Sequence, residues 1–209
     1  MVAPLQNSMH YEDRFLHVIA AIDAINAEGP VFIEAAGRKT PAELIYGQRM
    51  SETLARVQPN ACECLRIAAR GQHIERWKVP RRSYPAGREG YLNWRKHQRN
   101  LQAERLAGIM AEVGYGAEDI KRVGVLIRKE RLKADPEVQL FEDVICLVFL
   151  EHHLKEFESK VAEDRLADIL AKTWKRMSEH GHSWALKLDL PPEVVQLLYR
   201  GLAKSQAAE

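Results

Sequence analysis

Two side chains in this sequence have the types that metal binding and proton transfer use: a histidine and a carboxylate on different predicted helices. His73 lies in the segment 72–77, and Asp143 lies in the most apolar stretch of the chain, between Leu140 and Leu147. A buried carboxylate is costly unless it is paired, bound to a metal or protonated. His73 and Asp143 could form a metal or proton-transfer pair. They could also form a hydrogen bond that joins two core helices, and spacing alone favours this structural interpretation.

Positive charge is concentrated between Arg66 and Arg105, where eleven Lys/Arg accompany only three acidic residues. The rest of the chain has 20 basic and 26 acidic residues. Arginine binds phosphate or carboxylate through paired donors, and aromatic rings can stack on a base. The segment therefore indicates either an anion-binding site or a solvated face with local glutamate partners. The predicted ligand-binding residues are Arg70, Arg76, Arg81, Arg82, Tyr84, Arg88, Tyr91 and Arg95, with Lys129 added from a later helix.

Composition limits the classes of function. The chain has 209 residues, a formal net charge of +2 and a sequence pI of about 8.4, so we do not expect a general nucleic-acid coat. No segment has the apolar length of a membrane span, and the N-terminus does not read as a signal peptide. Three cysteines, an odd number, favour no disulfide framework and fit a reducing cytoplasm. Cys62 and Cys64 are interpreted as small helix residues, because no second ligand pair follows at a metal-like spacing.

Hydrophobic periodicity predicts helices along almost the whole chain and no strand pair. Thr40-Pro41-Ala42-Glu43 is typical of a helix start, in which Thr40 caps, Pro41 is the first helical residue and Glu43 reaches back to the cap amide. Asn60 and Asp135-Pro136 predict two further starts. Residues 80–90 contain two prolines and two glycines and predict an irregular, basic loop. The predicted helices cover residues 11–27, 40–57, 60–77, 91–113, 117–132, 137–157, 161–180 and 192–202.

The predicted helix 60–77 would place four polar side chains on one face. Arg66, Arg70, His73 and Trp77 fall within about 60° of one another, since each residue turns an α-helix by about 100°. The predicted helix 137–157 is apolar almost all round, which is typical of a central, buried helix. These features predict one all-α domain over residues 1–209.

Several motifs in combination resemble one known family. They are the segment 72–77, Pro80-Arg81, Tyr84-Pro85, residues 90–92, Trp94-Arg95, Glu142-Asp143-Val144 and residues 147–151. Together they resemble the family catalogued as domain of unknown function 4202, over nearly the whole chain. This resemblance implies a family-like core over residues 10–190, followed by a C-terminal helix and tail in residues 191–209. It implies no settled biochemical activity.

The same pattern distantly resembles the HD superfamily, whose members are all-α, metal-dependent phosphohydrolases. That resemblance implies an HD-like bundle of about seven to nine helices, with His73 as the first metal ligand and Asp143 as the last. The middle His-Asp pair is lost, because this chain has Gln102 and Ala103 there, followed by Glu104. Two remaining ligands are too few for a tight zinc site. A divalent metal is therefore not expected to bind tightly.

We expect a pocket lined by His73, Asp143 and Glu104 and walled by the basic loop, with Glu104 as the candidate base. The first hypothesis is a protein that binds or hydrolyses a phosphorylated small molecule or nucleotide. The second is a non-catalytic interaction module whose basic loop meets an acidic protein or RNA. The third is a buried structural network with no ligand at all.

Overall fold

The computed structural model describes residues 5–35, 37–154 and 161–206. Most of them are helical, which confirms the all-α prediction. The HD-like arrangement of these helices stays a prediction. The described residues form two compact units, one ending at Glu130 and the other beginning at Arg131. The expectation of a single domain over residues 1–209 also stays a prediction.

The first unit is built mainly around α3, which packs against the three helices α1, α2 and α5, while α4 packs along α5. Its interior contains fully buried aliphatic and methionine side chains, among them Ile22, Met50, Ile67, Leu106 and Leu126. The elements are α1 (Leu5–Asn26), β1 (Phe32–Ala35), β2 (Arg38–Pro41), α2 (Ala42–Val57), α3 (Glu63–Gly71), two 3₁₀ turns (Arg76–Lys78 and Arg81–Ser83), α4 (Gly87–Glu112) and α5 (Ala117–Arg128).

A two-stranded hairpin precedes α2 and was missed by sequence patterning. Strands β1 and β2 are antiparallel, with Phe32 opposite Pro41. The prediction failed because β2 is polar and shows no hydrophobic alternation. As a result Thr40 lies in a strand, and Pro41 is the residue that precedes α2 without a side-chain cap. Glu43 cannot reach back to a cap amide, because proline has no N–H.

Helix α3 is shorter than predicted at both ends. Cys62, not Asn60, caps it by accepting a hydrogen bond from the Leu65 amide at 3.4 Å. The helix ends at Gly71, where an added Cβ would lie 2.5 Å from Leu106 Cδ2, so α3 and α4 approach closely there. Glu75 then has a left-handed backbone, with φ of 53°. His73 and Trp77 therefore lie beyond α3, and the predicted shared face with Arg66 and Arg70 is wrong.

The second unit is organised around α6 (Pro136–Val148), which continues as one π-helical turn (Phe149–His153). Asp135 caps α6 by accepting hydrogen bonds from the amides of Glu137 and Val138, which confirms the predicted start. No residue from Val138 to Leu150 is exposed, as expected for a central helix. Residues 155–157 of the predicted helix and residues 207–209 of the tail lie outside the described residues.

Two helices replace the single predicted helix 161–180. The elements that follow the π turn are α7 (Glu163–Arg176), α8 (Glu179–Ala185) and α9 (Pro192–Gln206). The break falls at Met177, whose backbone is extended, and Ser178 caps α8 by accepting a hydrogen bond from the Gly181 amide at 3.1 Å. Among the described residues, no helix is both long enough and apolar enough to cross a membrane.

Candidate functional site

Arg76 and His73 form the centre of the candidate site in the first unit. Arg76 Nη1 lies 2.6 Å from His73 Nε2, and the guanidinium carbon lies 4.7 Å from the centroid of the Trp94 ring. The His73 ring stacks on Tyr46, with centroids 3.7 Å apart and planes 16° from parallel. A guanidinium can only donate hydrogen bonds. His73 Nε2 must therefore accept, which makes the imidazole neutral with its proton on Nδ1.

Helix α4 holds this turn of the chain in place. Trp94 Nε1 donates to the Val79 carbonyl at 2.9 Å. One turn further along α4, Gln98 Nε2 donates to the carbonyls of Arg76 and Val79, at 2.9 Å and 2.6 Å. Trp94 and Gln98 are both buried. Residues four apart lie on one side of a helix, so α4 fixes the backbone of residues 76–79 through two side chains.

A second guanidinium lies on the same side of α4. The Arg95 guanidinium carbon lies 5.7 Å from the Tyr91 ring centroid, and the Tyr91 and Trp94 rings are 6.0 Å apart. The rings of Trp94 and Tyr91 thus lie between the guanidinium groups of Arg76 and Arg95, and each guanidinium lies over one ring. We define the Arg76 cluster as Tyr46, His73, Arg76, Tyr91, Trp94 and Arg95.

The cluster holds two guanidinium groups, neither of which makes an ion pair with a carboxylate among the described residues. Burial lowers the pKa of Arg76, and Arg95 adds to this change, whereas the phenols of Tyr46 and Tyr91 and the carboxylate of Glu43 oppose it. Within the part of the chain that the structure describes, no carboxylate lies within ion-pair distance of Arg76 or Arg95. A guanidinium that is partly withdrawn from water and faces a like charge is unfavourable by itself. An anion would relieve both effects.

Glu43 is the residue near the cluster that sequence reasoning did not identify. Its carboxylate and Arg76 shift each other's pKa. Burial raises the pKa of Glu43, while a hydrogen bond from its own backbone amide and the charge of Arg76 oppose the rise. Its Oε2 atom is buried and has no hydrogen-bond partner among the described residues. The sequence offered only a capping role for this glutamate, because its distance in sequence from residue 76 concealed their proximity.

Two of the predicted ligand-binding arginines are engaged in holding the fold. Arg70 makes a bidentate ion pair with Asp23 of α1, at 2.6 Å and 2.5 Å. Arg81 donates to the carbonyls of Tyr84, Pro85 and Gly87, at 2.9 Å, 2.8 Å and 3.2 Å. Arg70 therefore joins α3 to α1, and Arg81 closes the loop before α4.

The other predicted ligand-binding residues lie outside the Arg76 cluster. Arg82 and Arg88 are exposed on the loop and on the first turn of α4. Tyr84 is hydrogen-bonded through its hydroxyl to His97 Nδ1. Lys129 is the left-handed residue that ends α5, with φ of 59°.

Glu104, the candidate base, is exposed on α4. It follows Arg95 by nine residues, which is about 180° around the helix. The structure therefore does not bring it to the side of α4 that carries Arg95. Gln102 and Ala103 are both buried, and Gln102 Nε2 has no hydrogen-bond partner within the described ranges.

Asp143 finds its hydrogen-bond partners inside the second unit. It is 1% exposed and accepts hydrogen bonds from the Ser178 amide at 2.8 Å, the Ser178 hydroxyl at 2.5 Å and Gln139 Nε2 at 3.0 Å. A Cβ at Gly181 would lie 2.7 Å from Asp143 Cγ. The carboxylate thus ties α6 to the start of α8. Its neighbour Glu142 is paired with Arg176 at 3.2 Å.

His73 and Asp143, the two metal ligands that the HD resemblance implies, each have protein partners within their own unit, and a metal role for them stays a prediction. His73 Nε2 already accepts from a cation, and both Asp143 oxygens accept from protein donors. Gln102 and Ala103 stand where the resemblance implies the middle ligands. Across the residues that the structure describes, no three His, Cys, Asp or Glu side chains are grouped to hold a metal ion.

The fold and the site together define a helical protein with a histidine–arginine–aromatic cluster in its first unit. Residues 16–198 match the family described as Domain of unknown function (DUF4202), and since the match covers most of the chain, the protein belongs to that family. Membership confirms the first of the two resemblances. No curated protein and no solved structure matches the chain.

Proposed function

We propose that the protein binds a phosphorylated small molecule at the Arg76 cluster. The observation that carries the proposal is that Arg76 and Arg95 are linked through the rings of Trp94 and Tyr91, while no carboxylate among the described residues lies at ion-pair distance from either guanidinium. Arginine forks match the oxygen geometry of phosphate, and each charge-assisted hydrogen bond contributes about 1.5–3 kcal/mol. Bound phosphate would replace a repulsion by two attractive contacts.

The aromatic members of the cluster support a ligand with an organic part. Tyr91 is 43% exposed although it lies beside the buried Trp94. An exposed ring next to a guanidinium offers a surface on which a flat group can stack. A nucleotide is one ligand that has both a phosphate and such a group.

Binding is the part of the hypothesis that the geometry supports; hydrolysis has less support. The candidate base Glu104 is exposed on the other side of α4 from Arg95, and Asp143 is engaged by Ser178 and Gln139. His73 uses its Nε2 lone pair to accept from Arg76. The proposal is therefore recognition of phosphate by arginine.

Calorimetric titration with inorganic phosphate and with AMP tests the proposal. We expect both to bind wild-type protein, and Arg76→Ala and Arg95→Ala each to weaken binding at least about tenfold, as the loss of one charged contact predicts. Lys121→Ala is the matched control, because Lys121 is an exposed cation on α5. Absence of binding, or equal weakening by the control, would contradict the proposal.

The exposed residues on the loop before α4 and on its first turns favour a second candidate, an interaction module for an acidic protein or RNA. Arg82 and Arg88 are exposed, and Leu92 is 50% exposed beside Tyr91. Basic side chains around exposed apolar ones are typical of interaction surfaces. An Arg82→Ala, Arg88→Ala variant separates the two candidates: it should abolish capture of an RNA or an acidic protein, and it should leave phosphate binding at the cluster unchanged.

A further inference from the structure

The carboxylate of Glu43 lies beside Gly29 and close to Trp77. A Cβ added to Gly29 would lie 3.0 Å from Glu43 Oε2 and 3.4 Å from Trp77 Cζ3. The absence of a side chain at position 29 is what allows the backbone to pack this closely against the carboxylate. Trp77 belongs to the same 3₁₀ turn as Arg76. Glu43 and the Arg76 cluster are therefore neighbours in the first unit.

No hydrogen-bond donor in the described part of the chain reaches the buried Oε2 atom. The residue before α2 is Pro41, which has no amide hydrogen for Glu43 to cap. Arg70 is bound to Asp23 instead, and Arg76 donates to His73. A buried acceptor that lacks a donor costs about as much as a lost hydrogen bond. A ligand that supplies a donor would satisfy this atom.

We propose that Glu43 is a specificity-determining residue, which accepts a hydrogen bond from a hydroxyl or amino group of the ligand whose phosphate binds the Arg76 cluster. This inference rests on the proposed function. It narrows the ligand class to phosphate monoesters that also carry a hydrogen-bond donor, such as phosphorylated amino alcohols, polyols or sugars. A monoester with a purely alkyl chain leaves Oε2 without a donor and is discriminated against.

A set of probes of equal size tests this specificity. Propyl phosphate, 2-hydroxyethyl phosphate and phosphoethanolamine have the same number of non-hydrogen atoms and end in a methyl, a hydroxyl and an ammonium group. A second pair, pentyl phosphate and 4-hydroxybutyl phosphate, covers a longer distance between phosphate and donor. Affinities are measured by calorimetry on the full chain, with inorganic phosphate as the reference that reports on the arginines alone.

We expect at least one probe with a donor to bind wild-type protein about tenfold or more tightly than its alkyl counterpart, as a hydrogen bond to a charged group predicts. The comparison of hydroxyl with ammonium identifies which donor Glu43 prefers. In Glu43→Gln the ratio of the two affinities, donor probe to alkyl probe, should fall to near one. Glu52→Gln changes an exposed glutamate on the same helix and should keep the ratio.

The outcomes separate this inference from the function on which it rests. Phosphate binding that depends on Arg76, together with equal affinities within both sets of probes, overturns only the role of Glu43. If Glu43→Gln still prefers probes with a donor over alkyl probes, the role of Glu43 is overturned as well. Phosphate that does not bind, or binds independently of Arg76, overturns both.

Discussion

Arg76 donates a hydrogen bond from Nη1 to Nε2 of His73 over 2.6 Å. This contact sets the proton arrangement of the imidazole, because arginine has no acceptor and remains protonated. His73 acts here as a partner that positions a guanidinium, and Tyr46 stacks on its ring. The contact also orients Arg76 across the Trp94 ring without the use of a carboxylate.

The first prediction concerns the tautomer of His73. We expect the neutral Nδ1–H form, and long-range ¹H–¹⁵N spectra distinguish it from the Nε2–H form by the nitrogen chemical shifts. Arg76→Ala removes the donor and should increase the Nε2–H population. Arg95→Ala, which removes a guanidinium that does not contact His73, should leave the spectrum as in the wild type. Detection of the Nε2–H form in the wild-type protein would contradict the Arg76–His73 contact.

The second prediction concerns two glycines of α4. A Cβ at Gly90 would lie 2.0 Å from the Pro85 carbonyl oxygen, whereas a Cβ at Gly108 would meet nothing within 4 Å. Gly90→Ala should lower the free energy of unfolding by about 1–3 kcal/mol, because the loop backbone must move. Gly108→Ala should raise it by about 0.5–1 kcal/mol, since alanine is favoured within helices. Urea denaturation measures both values, and equal effects would show that the loop does not pack on α4 as described.

Sequence patterning predicted the elements whose signals are local. The Asp135-Pro136 start of α6 is confirmed, because the cap and the first turn use only neighbouring residues. The end of α3 at Gly71 depends on its approach to Leu106, which is distant in sequence. The polar strand β2 carried no hydrophobic signal at all. The first error is tertiary in origin, and the second arises because the strand has no hydrophobic pattern to read.

The sequence predicted only some of the residues of the candidate site. Arg76, Tyr91 and Arg95 were predicted as ligand-binding residues, and they lie in one cluster; their function stays a prediction. Arg70 and Arg81 have the same residue type and lie in the same charged segment, yet they bind Asp23 and loop carbonyls. Residue type cannot separate an arginine that holds the fold from one that lacks an acidic partner. Only the position of Asp23 on α1 and the path of the loop make that distinction.

The third prediction concerns Asp143 and Ser178. Because Ser178 donates to Asp143 from both its amide and its hydroxyl, Asp143→Ala should lower the free energy of unfolding by about 3 kcal/mol. Ser178→Ala removes only the hydroxyl and should cost about 1–2 kcal/mol. The double variant should cost less than the sum of the two, which a double-mutant cycle measures as coupling. Additive costs would argue against the Asp143–Ser178 contact. In a separate measurement, an increase in the stability of the wild-type protein on addition of manganese would point to a metal role for Asp143.

The last prediction concerns the pH dependence that Glu43 gives to stability. Burial raises the pKa of Glu43 above its ordinary value of 4.5, so the folded protein favours the neutral carboxyl more than the unfolded chain does. The contribution of Glu43 to the free energy of unfolding is therefore complete at pH values below the pKa of the unfolded chain. It is lost as pH rises through the higher pKa of the folded protein. Glu43→Gln is always neutral. It should raise the free energy of unfolding at pH 7, by no more than about 1 kcal/mol because the carboxylate is only half-buried, and by much less at pH 4.

Chemical denaturation of wild type and Glu43→Gln at the two pH values measures this difference. Glu52→Gln is the control: it removes an exposed glutamate from the same helix and should change stability little at either pH. A gain in Glu43→Gln that is equal at pH 4 and pH 7 would mean that the carboxylate is solvated in the folded protein. A loss at pH 7 would mean that the charged form has a stabilising partner. A gain in the free energy of unfolding at pH 7 but not at pH 4 fits a buried carboxylate whose hydrogen-bond donor comes from a ligand. Such a carboxylate lowers the stability of the protein when no ligand is bound.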